Sequence, residues 1–155
     1  VAPKAVLLVD DSKRDTEAME ILLRSIGVTI PILAVDGGNK AIAYFKGDGE
    51  YADRAKYPLP SVLLLDLKMP EPDGFYVLEW LKAHSHLKDS LVVVLSAYDG
   101  LREVNQAYAL GSKSFLVKPC SAADIKDVIK SFPDYWAPAF PYTDNPGGEA
   151  RTDRL

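Results

Sequence analysis

Residues 63–74 read LLLDLKMPEPDG: a leucine run carries straight into Asp66, and the chain then turns through Pro70 and Pro72 to Asp73-Gly74. A carboxylate at the end of a stretch built for burial is costly unless a partner or a ligand offsets its charge. The run that leads into it, SVLLL at 61–65, is continuous in apolar residues rather than alternating, which is how a strand covered on both faces reads.

Four more runs of this kind flank it: AVLLV at 5–9, PILAV at 31–35, LVVVL at 91–95 and SFLV at 114–117. Between them, apolar residues recur at helical spacing. Met19, Leu22, Leu23 and Ile26 share one face of a first helix, with Ser12-x-x-Asp15 as its capping box and Gly27 as its stop. The same pattern marks helices at Ala41, Tyr44 and Phe45; at Val77, Leu78 and Leu81; at Leu101, Val104, Ala107 and Tyr108, ending at Gly111; and at Ile125, Val128 and Ile129. This alternation predicts an α/β fold: a doubly wound, five-stranded parallel sheet with right-handed crossovers that place helices on both faces.

Composition agrees with a single domain. A chain of 155 residues, 48% hydrophobic and 26% charged, has ordinary globular proportions. Its net charge of -4 argues against DNA or RNA as a partner. No apolar stretch has the length of a membrane span, so no membrane contact is expected. Cys120 is the only cysteine, which excludes an intrachain disulfide and suits a reducing, cytoplasmic setting.

Two segments break the rhythm. KGDGEYADRAKYPLP, 46–60, is long for a helix-to-strand connection and is expected to hold either extra helix or a surface loop. The tail from Phe132 carries Pro133, Pro138, Pro141 and Pro146 and is too irregular for a second domain. Residues 133–142 are expected either to be a disordered terminus or, since Tyr135, Trp136, Phe140 and Tyr142 are strongly apolar, to find cover on this domain or on another subunit.

In doubly wound sheets ligands bind beyond the carboxyl ends of the strands, where the strand order reverses. Here the first strand ends in Asp10-Asp11, the third in Asp66, the fourth in Ser96 and the fifth in Lys118-Pro119. Crowded carboxylates raise one another's pKa unless a cation intervenes. Hard oxygen ligands of this kind suit Mg²⁺ better than zinc. His84 and His86 fall on or just past the third helix, away from the strand ends, and are read as solvated.

In order and spacing, the set Asp10-Asp11, Asp66-x-x-Met69-Pro70-x-x-Asp73-Gly74, Ser96-Ala97 and Lys118-Pro119 resembles the receiver domain of two-component response regulators, over about residues 4–131. The resemblance implies a flavodoxin-like strand order 2-1-3-4-5, with a receiver at 1–131 and a tail at 132–155 that forms no separate output domain. It implies that Asp66 accepts a phosphoryl group from a histidine kinase. It further implies that Asp11, Asp66 and the main-chain carbonyl of Lys68 ligate Mg²⁺, with Asp10 acting through water. Lys118 and Ser96 would contact phosphoryl oxygens, and Lys118-Pro119 would be cis. Ser96 and Phe115 would form the switch pair that reports phosphorylation. Lys68 and Tyr98 would crowd the hydrolytic water, and the small Ala97 would leave access to Asp66. Such a chain catalyses only its own phosphorylation and dephosphorylation and signals by protein contacts.

The long 46–60 connection and the aromatic tail are similar to stand-alone regulators that serve bacterial phytochrome kinases, several of which are homodimers. Two other readings compete. One is a Mg²⁺-dependent phosphatase or phosphotransferase of the haloacid dehalogenase type, in which a second carboxylate stands two residues after the nucleophile; here that place is Lys68. The other is a pseudo-receiver that binds partners without taking phosphate.

Overall fold

The computed structural model describes residues 4–84, 89–97 and 100–140. Strands β1 (Ala5–Val9), β2 (Ile32–Val35), β3 (Pro60–Asp66), β4 (Leu91–Ser96) and β5 (Ser114–Val117) alternate with helices α1 (Lys13–Ser25), α2 (Gly38–Lys46), α3 (Gly74–Ala83), α4 (Leu101–Ala109) and α5 (Ala122–Ser131). All strand pairs are parallel, in the order β2-β1-β3-β4-β5. Both the expected class and the expected order are observed.

Alternate residues of each central strand feed two separate cores. Val6, Leu8, Val62, Leu64 and Val93 meet Leu23, Ile125 and Ile129 on one face. Leu7, Val9, Leu63, Leu65 and Val94 meet Tyr44, Phe45, Val77 and Leu78 on the other. Burial on both faces explains why these strands read as unbroken apolar runs. The edge strand β5 is only partly covered, and Val117 is 41% exposed.

Helix starts follow their caps. The Ser12 hydroxyl accepts from Asp15 N at 3.2 Å, Asp73 Oδ1 accepts from Tyr76 N at 3.0 Å, and Ser121 with Asp124 forms a complete capping box. The box expected at Ser12 is only half made, because Ser12 N donates instead to Asp10 Oδ1 at 2.9 Å. Gly27, with φ of 105°, ends α1 as predicted.

The 46–60 connection combines both expected forms: a 3-10 turn at Gly49–Ala52 followed by irregular chain. Arg54 binds it down by donating to the carbonyls of Tyr44, Phe45 and Tyr57, while the rings of Tyr44, Tyr51 and Tyr57 pack together.

Past α5 the chain turns back onto its own domain. A short helix α6 (Pro133–Trp136) and a 3-10 turn at Ala137–Ala139 bury Trp136, Ala139 and Phe140 in the core that contains Leu23 and Ile125. Thr29 N donates to Ala139 O at 2.9 Å, and the Phe140 ring lies over Gly27. Tyr142 and the rest of the tail lie outside the described residues, as do His86 and Tyr98. Among the described residues no helix is long and apolar enough to cross a membrane.

Candidate functional site

The parallel sheet brings the ends of β1, β3, β4 and β5 to one edge. Asp66, the last residue of β3, and Asp10, just past β1, are 5% and 7% exposed, whereas Asp11 faces solvent. One ligand oxygen from each of the three lies within 4.8 Å of the others. Lys118 follows β5, and its main-chain N–H bonds to Ser96 O at 2.8 Å, so the lysine and the buried Ser96 are tied to the same corner. The Lys118-Pro119 bond is cis, as the resemblance implied.

The Lys118 ammonium sits among the acids. It donates to Asp10 Oδ2 at 2.6 Å and to Asp15 Oδ2 at 2.9 Å, and it stands 3.6 Å from Asp66 Oδ2. Asp66 Oδ1 accepts from Lys68 N at 3.2 Å. Burial lifts the Asp66 carboxyl to about 6; the Lys118 charge opposes the rise and Asp10 adds to it. Burial alone would lower the Lys118 pKa, but its hydrogen bonds to Asp10 and Asp15 together with the Asp66 charge outweigh it and hold the ammonium firmly protonated.

The turn after β3 explains the prolines and the Asp-Gly pair of the opening motif. Leu67 and Met69 are buried while Lys68 is exposed, so the chain pivots over the sheet edge. Gly74 N bonds to Leu67 O at 3.2 Å, and a Cβ on Gly74 would collide with the Asp66 carbonyl. Only glycine lets α3 start this close to the Asp66 backbone.

Other predicted residues take varied places. Phe115 is half-buried against the core formed with α2, α3 and α4. Ala97 is exposed and lines a cleft together with Asp10, Asp15 and Lys118. His84 caps α3, stacks on Trp80 at 4.1 Å between centroids and has Nδ1 at 2.8 Å from Trp80 O, apart from the acidic cluster. Tyr98 and His86 lie outside the described residues.

Sequence reasoning missed the place of Asp15. Read as a capping residue, it instead turns its carboxylate to Lys118, 103 positions along the chain. No local pattern marks this tie, because Asp15 also suits a capping role and its partner lies at a distant strand end.

The carboxylates fit a hard divalent cation. Opposite ligands of a Mg²⁺ at about 2.1 Å are roughly 4.2 Å apart, so oxygens already within 4.8 Å of one another need only small shifts to close on it. Two buried acids with one ammonium between them also leave net negative charge for such an ion to offset.

This arrangement agrees with comparisons to known proteins. Residues 6–130 match the model of the response regulator receiver domain. The chain belongs to that family. This receiver is 31% identical over 134 residues to response regulator Rcp1 of Synechocystis sp., a match covering 86% of this chain and 89% of that protein. Among solved structures it resembles the bacteriophytochrome response regulator AtBRR at 30% identity and a TM-score of 0.74, covering 84% and 93% of the two chains. It also resembles a Mn(2+)-bound form of Rcp1 at 30% identity and a TM-score of 0.70, covering 86% and 94%. The receiver is therefore a signalling switch of the two-component type, with relatives among phytochrome response regulators.

Proposed function

We propose that this receiver accepts a phosphoryl group on Asp66 from the phosphohistidine of a histidine kinase and passes the signal on by protein contact. The observation that carries the reading is the meeting of Asp66, Asp10, Asp11 and Lys118, drawn from three strand ends, at one edge of the sheet. A carboxylate oxygen of Asp66 attacks phosphorus, the P–N bond breaks, and its electron pair stays with the departing imidazole. Lys118 places a fixed positive charge where charge builds on the phosphoryl oxygens, and Ser96 supplies its hydroxyl to another of them. Asp11, Asp66 and the Lys68 carbonyl would hold Mg²⁺ directly and Asp10 through water; when bound, the ion offsets charge on attacking and leaving oxygens.

The switch joins Ser96 to Phe115, which flank the end of β4 and the middle of β5. Phe115 has no hydroxyl, so its inward state rests on packing alone. Lys68 and Tyr98 would slow attack of water on the aspartyl phosphate, the only other reaction assigned to the protein. The cytoplasm, where histidine kinases present their phosphoryl groups, is its place of action.

The phytochrome relatives support a bacterial phytochrome as the kinase. A homodimer is supported by Leu101, Tyr108 and Val117, large apolar side chains 76%, 46% and 41% exposed on neighbouring α4 and β5. The described aromatics of the tail contribute to this chain's own fold, since Trp136 and Phe140 are buried within it.

The test is label transfer from an autophosphorylated bacterial phytochrome kinase. Label should pass to the wild-type protein when Mg²⁺ is present and not to Asp66→Asn. Equal labelling of the two proteins would refute the assignment.

A further inference from the structure

Asp15 stands where α1 begins, and its main-chain N–H is satisfied by the Ser12 hydroxyl. At the Ser121 cap of α5, Asp124 completes the box by accepting from Ser121 N at 2.9 Å. Asp15 does not do so: Ser12 N is taken by Asp10, and the Asp15 carboxylate reaches across to Lys118. A residue suited to capping has thus been drawn into the charge cluster.

The ammonium has three N–H donors. Two are engaged at 2.6 and 2.9 Å by Asp10 and Asp15, and Asp66 at 3.6 Å is beyond hydrogen-bond length. A phosphoryl oxygen on Asp66 would take a charge-assisted bond of about 2.7–2.9 Å from this ammonium, in competition with the carboxylates that already hold it. Asp10 cannot be the contact that yields, because it is buried and braced by Ser12 N. Asp15 can, since its side chain is 45% exposed and can turn into water.

We propose that Asp15 is a positioning residue that holds the Lys118 ammonium against α1 while Asp66 is bare, and thereby weakens the hold of the site on a phosphoryl group. The inference rests on the reading of Asp66 as phosphoacceptor. Its removal both frees the ammonium and deletes a negative charge that the two ion-pair distances place no more than 6.5 Å from an Asp66 oxygen. At an effective dielectric between those of protein edge and water, one unit charge at this range corresponds to a change of about three- to ten-fold in anion affinity.

The experiment titrates beryllium trifluoride, a phosphoryl mimic, into the Mg²⁺-loaded protein and follows bound fluoride by ¹⁹F NMR. Asp15→Asn and Asp15→Ala should both bind about three- to ten-fold more tightly, and Asp15→Glu should stay near wild type. Glu17→Gln removes an exposed carboxylate of α1 paired with Lys13 and should leave affinity unchanged. A role confined to supporting the helix predicts the opposite sign, weaker binding in Asp15→Ala. Wild-type binding with no gain in either Asp15 variant, or an equal gain in Glu17→Gln, refutes the positioning role and leaves the phosphoacceptor reading standing. No binding to wild type at all overturns both.

Discussion

Replacing Asp66 by asparagine should stabilise the metal-free protein, even though it removes the proposed phosphoacceptor. Asp66 is 5% exposed and its carboxyl is pushed up to about 6, from an ordinary value of 3.8, chiefly by burial. Above pH 6 the folded protein must hold an ionised group that the unfolded chain would bear more easily. At 1.36 kcal/mol per pH unit the shift corresponds to about 3 kcal/mol. Screening by water at the open edge of the site cuts the expected gain to about 1.5 kcal/mol, or roughly 3–6 °C in melting temperature for a domain of this size. Because the folded pKa is raised, the wild-type fold is free of this penalty below about pH 4, where both states are protonated, and accrues it as pH rises through about 6. The advantage of Asp66→Asn should therefore be full near pH 7.5 and almost vanish near pH 4. Urea denaturation of both proteins in chelator at the two pH values reads this directly. A variant less stable than wild type near pH 7.5, or a difference independent of pH, refutes the electrostatic reasoning.

Other consequences are equally open to measurement. Trp136→Ala, which empties a fully buried site, should cost about 3–5 kcal/mol in urea denaturation, whereas Trp136→Phe should cost far less because the buried indole Nε1 has no hydrogen-bond partner among the described residues. Gly74→Ala should lower the melting temperature by several degrees and shift amide NMR signals around Asp66, since its Cβ would strike the Asp66 carbonyl and approach Leu67 Cα to 2.6 Å. Paired Leu101→Asp and Val117→Asp substitutions should convert a dimer to a monomer in light scattering after size exclusion, with thermal stability little changed, because both side chains are exposed in the single chain.

The sheet was legible because β1, β3 and β4 are buried on both faces, so burial wrote itself as unbroken apolar runs. Four of the site residues, Asp10, Asp66, Ser96 and Lys118, could be placed together because topology sends every carboxyl end of a parallel strand to the same edge. Asp15 could not, since its tie to Lys118 spans 103 positions and competes with an equally good local role at the N-terminus of α1. The tail was ambiguous for a related reason: Trp136 and Phe140 signal burial, but the sequence carries no period to say against what, and only the fold shows α6 closing the core beside α1 and α5. The 46–60 connection depends on Arg54 reaching back to the end of α2, a contact with no short-range pattern.

The measurement that bears most directly on the central claim is the intact mass of the protein after incubation with acetyl phosphate and Mg²⁺. Wild type should gain the mass of one phosphoryl group, lose it on treatment with hydroxylamine as an acyl phosphate does, and gain none when Mg²⁺ is chelated; Asp66→Asn should gain none under any condition. A phosphoryl group that appears on Asp66→Asn, or an unmodified wild type, would contradict the account.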